Sequence, residues 1–237
     1  MPERRKATKP IARGAADERK TRNVMSDKRG KFVTFEGGDG CGKSTQVRLT
    51  VKWLKEAGHD AFSTREPGGT KLGEKIRSIL LDPENAEMAD MTEMLLYAAS
   101  RAQLACEAIE PALADGKTVV CDRWADSSMV YQGAARGLGE AVRAVNALAA
   151  GELFSPDATI LLDLDPETAL LRATGSGRED RIEALGAAYQ AKVREAYLKL
   201  AEREPERFFV IDASGSPEDV QQRVRAALSG LFESGAK

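Results

Sequence analysis

The run Gly37-Gly38-Asp39-Gly40-Cys41-Gly42-Lys43-Ser44 places glycines at its first and sixth positions, then a lysine and a hydroxyl. That pattern, G-x-x-x-x-G-K-[ST], suits polyphosphate chemistry. Its glycines let the backbone turn N–H groups inward around phosphate oxygens. Lys43 brings a cation to the β and γ phosphates, and the Ser44 hydroxyl can ligate Mg2+. Before the loop, Lys31–Glu36 (KFVTFE) is predicted to be a strand; after it, Lys43–Ala57, including Thr45, is predicted to be a helix. A strand running in and a helix running out is the setting the motif needs, because the helix aims its positive end at the same anion. A nucleotide site is the reading this supports, rather than a glycine-rich turn without a ligand.

Other segments carry groups that suit the same chemistry. Asp122 ends an apolar run (TVVCD), where a carboxylate can help hold Mg2+; the competing reading is a cap for the next helix. Arg123 follows and can reach across the same opening to a phosphate. Thr64-Arg65-Glu66-Pro67-Gly68-Gly69-Thr70 begins where a second strand should end. Tyr97 and Arg101 stand four residues apart in a helical pattern and so share a face. A ring beside a guanidinium can receive a planar base next to an anion; the bland alternative is a packed tyrosine with a solvated arginine. His59, the only histidine, follows Gly58 in a helix-to-strand connection, which points to a surface loop.

The elements that must hold these residues alternate. Besides the first strand, Asp60–Thr64, Thr118–Asp122, Ala158–Asp163 and Arg207–Ile211 are predicted strands, mostly continuous apolar runs of the kind buried on both faces. Helical spacing links Met94, Ala98, Ala102, Ala105 and Ile109, and again Ile182, Leu185, Tyr189, Val193, Tyr197 and Leu200. Strands alternating with helices imply an α/β three-layer sandwich with a five-stranded parallel sheet, helices on both faces. Ligands in such folds bind beyond the carboxyl ends of the strands.

With 237 residues the chain can build one full-sized core. Its net charge of −2 argues against wholesale nucleic-acid or membrane binding, and no stretch approaches the ~18 apolar residues that span a bilayer. Cys41, Cys106 and Cys121 have no metal-like spacing and no even count, which points to a reducing, cytoplasmic setting. Residues 1–30 are rich in Lys and Arg and poor in apolar side chains, so a disordered basic tail is expected there, with 31–237 as the folded domain and Met25 as an alternative start. Thr174–Asp180 (TGSGRED) is a glycine-punctuated polar stretch between two helical patterns.

Taken in order, FEGGDGCGKST, TREPGGT at 64–70, LLYAASRAQ at 95–103, DRWADSSMVYQG at 122–133 and DRIE at 180–183 resemble the thymidylate kinase family from Lys31 to Leu231. The resemblance implies a P-loop fold that moves the γ-phosphoryl group of ATP to dTMP, with Mg2+, a mobile lid near 174–180 and usually a homodimer. It also implies roles: Tyr97 stacking on thymine, Arg101 near the base, Ser128 and Gln132 around the nucleoside, and Tyr131 crowding the sugar. Arg65 and Arg123 would clamp the acceptor phosphate, and Asp39 would face the acceptor sugar or the metal region. Some members carry an arginine where Gly40 stands, and those without it draw one from the lid; Arg178 is the candidate here, flanked by Arg172 and Arg181. Thr174 and Ser176 stand where lid arginines are expected, and Trp124 replaces the usual Tyr or His after Asp-Arg. Another nucleoside monophosphate kinase, a P-loop kinase of a small metabolite, or a nucleotide switch without an acceptor stay open alternatives.

Overall fold

The structure is a computed structural model that describes residues 29–173, 181–182 and 185–232. The expected basic tail falls almost entirely on residues outside that range, and the lid segment 174–180, with Arg178, lies outside it as well.

Five parallel strands form one sheet: β1 (Phe32–Glu36), β2 (Ala61–Arg65), β3 (Thr118–Asp122), β4 (Ala158–Asp163) and β5 (Phe208–Asp212), in the order β2-β3-β1-β4-β5. All five expected strands are present, three of them displaced by a residue at one or both ends. β1 is buried along its whole length, whereas the edge strand β2 alternates buried and open residues. Position in the sheet decides that difference, because an edge strand has a neighbour on one side only.

Each strand is followed by a helix, as parallel pairing demands. These are α1 (Lys43–Glu56) after β1, and α2 (Lys71–Leu81) and α3 (Asp90–Leu104) after β2. A wide helical turn at Ala105–Ile109 then leads into α4 (Glu110–Ala114). After β3 come α5 (Ala125–Ser128), a second wide turn at Met129–Ala135, and α6 (Glu140–Ala150). α7 (Pro166–Ala173) and α8 (Gly186–Arg203) follow β4, and α9 (Pro217–Phe232) follows β5. Val33, Phe35, Leu54, Ile160, Val224 and Leu228 build the core on one face of the sheet. Phe32, Leu104, Ile109, Val119 and Trp124 build part of the other.

Two helical stripes depart from expectation. Ala102 is exposed and Arg101 takes its place inside, because Arg101 finds a buried carboxylate partner. Ile182 and Leu185 precede α8 rather than riding on it. Ile182 is nevertheless buried.

The strand register gathers the chemistry at one end of the sheet. Arg65 lies opposite Asp122, and Asp122 opposite Phe35, one residue before Glu36 and the glycine loop. Three separate segments therefore meet at the carboxyl mouth.

Candidate active site

The glycine loop joins β1 to α1 in a backbone course that side chains would obstruct. Gly37 has φ +138°, and a Cβ there would sit 2.6 Å from the Leu162 carbonyl oxygen. Gly42, left-handed at φ 94°, occupies the N-cap of α1 and offers no capping side chain, which leaves the first-turn N–H groups facing the loop. Lys43 is buried, and its Nζ donates to the carbonyls of Gly37 (3.1 Å) and Gly38 (2.7 Å), close to Cys41 Sγ at 3.7 Å. The cation thus lies folded over the loop, where a phosphate would replace those carbonyls.

Ser44 Oγ donates to Asp122 Oδ2 at 2.6 Å. Asp122 therefore sits at the loop instead of capping the next helix. A hydroxyl and a carboxylate side by side suit Mg2+, which takes hard oxygens and binds through one or two protein groups plus substrate phosphates. The same pair borders an open cavity together with Arg48, Thr64, Arg65 and Glu74.

A second cavity opens on the other side of the loop. Asp39, Arg123 and Tyr131 line its end nearest the glycines; Tyr97, Arg101, Ser128 and Gln132 line its far end. Arg77, Leu81 and Ile182 also line it, with Glu66, Pro67 and Ser127. Of the acceptor residues expected from sequence, the structure brings Asp39, Tyr97, Arg101, Arg123, Ser128, Tyr131 and Gln132 together. Arg65 is not among them. It is an exposed side chain at the end of edge strand β2, and it donates to Glu74 Oε2 at 2.9 Å beside Ser44 and Asp122. Arg77 on α2 lines the second cavity instead, bonded to the Pro67 carbonyl at 3.0 Å.

Arg123 joins the second cavity to the glycine loop. Its backbone is left-handed, φ 71°, which is uncommon for a residue with a side chain. The guanidinium donates to the Gly37 carbonyl (3.1 Å), pairs with Asp39, and lies over the Tyr131 ring at 5.2 Å. Asp39 also accepts from Gln190 Nε2 at 3.0 Å. Burial alone would raise the Asp39 carboxyl, but Arg123 and Lys43 hold it below its ordinary range.

What keeps Arg123 there is Glu36, the last residue of β1. Glu36 accepts from the Trp124 backbone N–H (2.7 Å), Ser127 Oγ (2.6 Å) and Tyr197 O–H (2.7 Å), all around the Arg123 turn. Burial, then the Asp126 charge, push its pKa up to about 7, against the pull of Ser127, Arg123 and Tyr197. Asp126 is itself held by Arg207 through two hydrogen bonds, 2.7 and 2.8 Å.

Arg101 is fully buried and grips Glu66 through Nε (2.9 Å) and Nη2 (2.8 Å). It also donates to Ser128 Oγ (2.8 Å) and to Asn146. Tyr97, one helical turn earlier, flanks the same space. Of the arginines flanking the expected lid, Arg172 bonds the Ala213 carbonyl (3.2 Å) and Arg181 pairs with Glu93 (2.6 Å).

Sequence reasoning missed Glu36, Arg77, Glu93, Gln190 and Tyr197. Glu36 could have been noticed as an acid closing an otherwise apolar strand. The others carry no local signal, since each acts on a segment distant in sequence.

Known proteins give this arrangement a context. The thymidylate kinase family model matches residues 35–224. Over 205 residues the chain is 52% identical to the thymidylate kinase of Desulfosudis oleivorans, covering 83% of this chain and 95% of that protein. Over 185 residues it is 55% identical to that of Caldanaerobacter subterraneus subsp. tengcongensis, covering 78% and 88%. The crystal structure of thymidylate kinase from Ehrlichia chaffeensis matches with a TM-score of 0.67 at 30% identity, over 84% of this chain and 99% of that one.

Proposed function

The chain belongs to the thymidylate kinase family, an ATP-dependent dTMP kinase that yields dTDP, and on that premise we propose which of its residues carry the transfer. The donor lies along the glycine loop, Gly37 to Thr45, and dTMP fills the second cavity with its phosphate toward Arg123. The observation that carries this reading is the Arg123 guanidinium, bonded at once to the loop carbonyl of Gly37 and to Asp39 in the acceptor wall.

The dTMP phosphate has a second pKa of about 6, so near neutrality it is largely dianionic and is already a nucleophile. One of its oxygens bonds to the γ-phosphorus as the bond to the β,γ-bridging oxygen breaks, and no general base is needed. The protein's work is to align two polyanions and to neutralise charge on the transferred group. Lys43 leaves its two carbonyls for the β and γ phosphates, and Arg123 meets the acceptor phosphate. Ser44 and Asp122 would hold Mg2+, which would supply positive charge against that of the phosphates. Tyr97 stacks on the base, Arg101 and Ser128 face its edge, and Tyr131 stands against the sugar. Arg65, beside Ser44 and Asp122, serves the donor side rather than the acceptor phosphate.

We also infer a cytoplasmic homodimer. No helix among the described residues is long and apolar enough to cross a membrane. Half-exposed Leu72 and Ile79 on α2, with Met91 and Leu95 on α3, supply an apolar face for a second copy.

A panel of nucleoside monophosphates with ATP and Mg2+ tests the assignment. ADP formation should rise most with dTMP. A preference for UMP or AMP would move the chain to another acceptor class, and ATP consumption indifferent to every acceptor would favour a nucleotide switch.

A further inference from the structure

Glu93 stands on α3, one helical turn before Tyr97 and two before Arg101, behind Gln132, which lines the second cavity. It is wholly buried, accepts from Arg136 Nη2 (3.0 Å) and Gln132 Nε2 (2.8 Å), and forms an ion pair with Arg181 Nη2 at 2.6 Å. Two guanidinium groups and an amide nitrogen surround its carboxyl oxygens, which face donors and act as acceptors. The Gln132 amide must therefore turn its NH2 toward Glu93. Its oxygen is left for the other side, and Gln132 lines the cavity. The neighbouring wall offers the opposite character, with the Arg101 guanidinium and the Ser128 hydroxyl it donates to.

We propose that Glu93 is a positioning residue for base selection: by accepting the Gln132 N–H it turns the amide oxygen toward the acceptor base. The cavity then presents an acceptor next to donors. A pyrimidine with a proton on N3 and a carbonyl at C4, as in thymine or uracil, satisfies both. Cytosine reverses both groups and would leave buried polar atoms facing like partners, a cost of the size that excludes a ligand from a buried site. This inference rests on the second cavity being the dTMP site.

The test compares kcat/KM for dTMP and dCMP in the wild type, Glu93→Gln and Gln132→Met. A glutamine at 93 can donate as well as accept, so the Gln132 amide is free to turn over. The dTMP-to-dCMP ratio should fall at least about tenfold in each variant, equivalent to one lost buried hydrogen bond, while KM for ATP stays unchanged. A merely structural role would lower both acceptors together, and an unchanged ratio overturns the proposal. Should Glu93→Gln fail to fold, the amide-oxygen contact on which the proposal depends can still be refuted with Gln132→Met and in the wild type. There N3-methyl-dTMP should inhibit far more weakly than unmodified dTMP binds, and equal affinity would sink the idea. Tyr97→Ala separates the two levels. If it leaves KM for dTMP unchanged, the cavity assignment itself fails and takes this inference with it; if KM rises while the ratios stay fixed, only the role of Glu93 falls.

Discussion

Lys43, Arg123 and Glu36 divide the work among single residues. Lys43 is held by two loop carbonyls that can be exchanged for phosphate oxygens, so it contributes little to the fold and much to transfer. Lys43→Ala should lower kcat by about a hundredfold or more with the melting temperature nearly unchanged; wild-type turnover in that variant would remove the lysine from the mechanism. Glu36 is the reverse case. Its carboxyl is raised from 4.5 to about 7, so its contribution to stability is fullest below 4.5 and is lost as pH climbs toward 7. Thermal melts of wild type and Glu36→Gln should show the wild type's relative stability declining from about pH 5 to about pH 8. A difference that grows across that window would contradict the assignment. The contrast explains what the sequence reveals of single residues. Lys43 and Ser44 are legible because their chemistry is local, written in eight consecutive positions. Glu36 acts through Trp124, Ser127 and Tyr197, and only folding brings those together. The position of Arg65 is illegible for the same reason: its motif shows a basic group near the mouth, but not which cavity it borders.

At the scale of elements, β1 and α1 exist to aim the loop between them. A methyl group on Gly37 would press on the β4 carbonyl at Leu162 in a backbone region that disfavours side chains. Gly37→Ala should therefore weaken ATP binding with less effect on dTMP, measured as separate KM values; equal loss for both substrates would mean the loop and cavity collapse together. Helix α3 is the acceptor counterpart, presenting Glu93, Tyr97 and Arg101 on one face. Tyr97→Ala should raise KM for dTMP about tenfold or more, as expected for a stacking contact of about 1–3 kcal/mol, and leave KM for ATP unaltered. The strands were readable because burial on both faces demands unbroken apolar runs. The stripe of α3 was less so, since a buried arginine with its carboxylate partner occupies a position that periodicity reserves for an apolar residue. The wide turn at Met129–Ala135, which brings Tyr131 and Gln132 into the cavity, has no signature in the sequence.

For the whole molecule, the order β2-β3-β1-β4-β5 sets β1 between two later strands, and the loop leaving it borders both cavities. One protomer carries both cavities, and the apolar face on α2 and α3 is the surface proposed for association. Leu95→Glu should shift the protein to a monomer by size-exclusion chromatography with light scattering; an unchanged dimer would place the interface elsewhere. The central claim is that the two anions meet end to end across Arg123. It is tested most directly by a bisubstrate compound, adenosine and thymidine joined through five phosphates, used as an inhibitor. Competition against both ATP and dTMP is the result expected if the cavities adjoin as described. Competition against one substrate alone would mean that they do not.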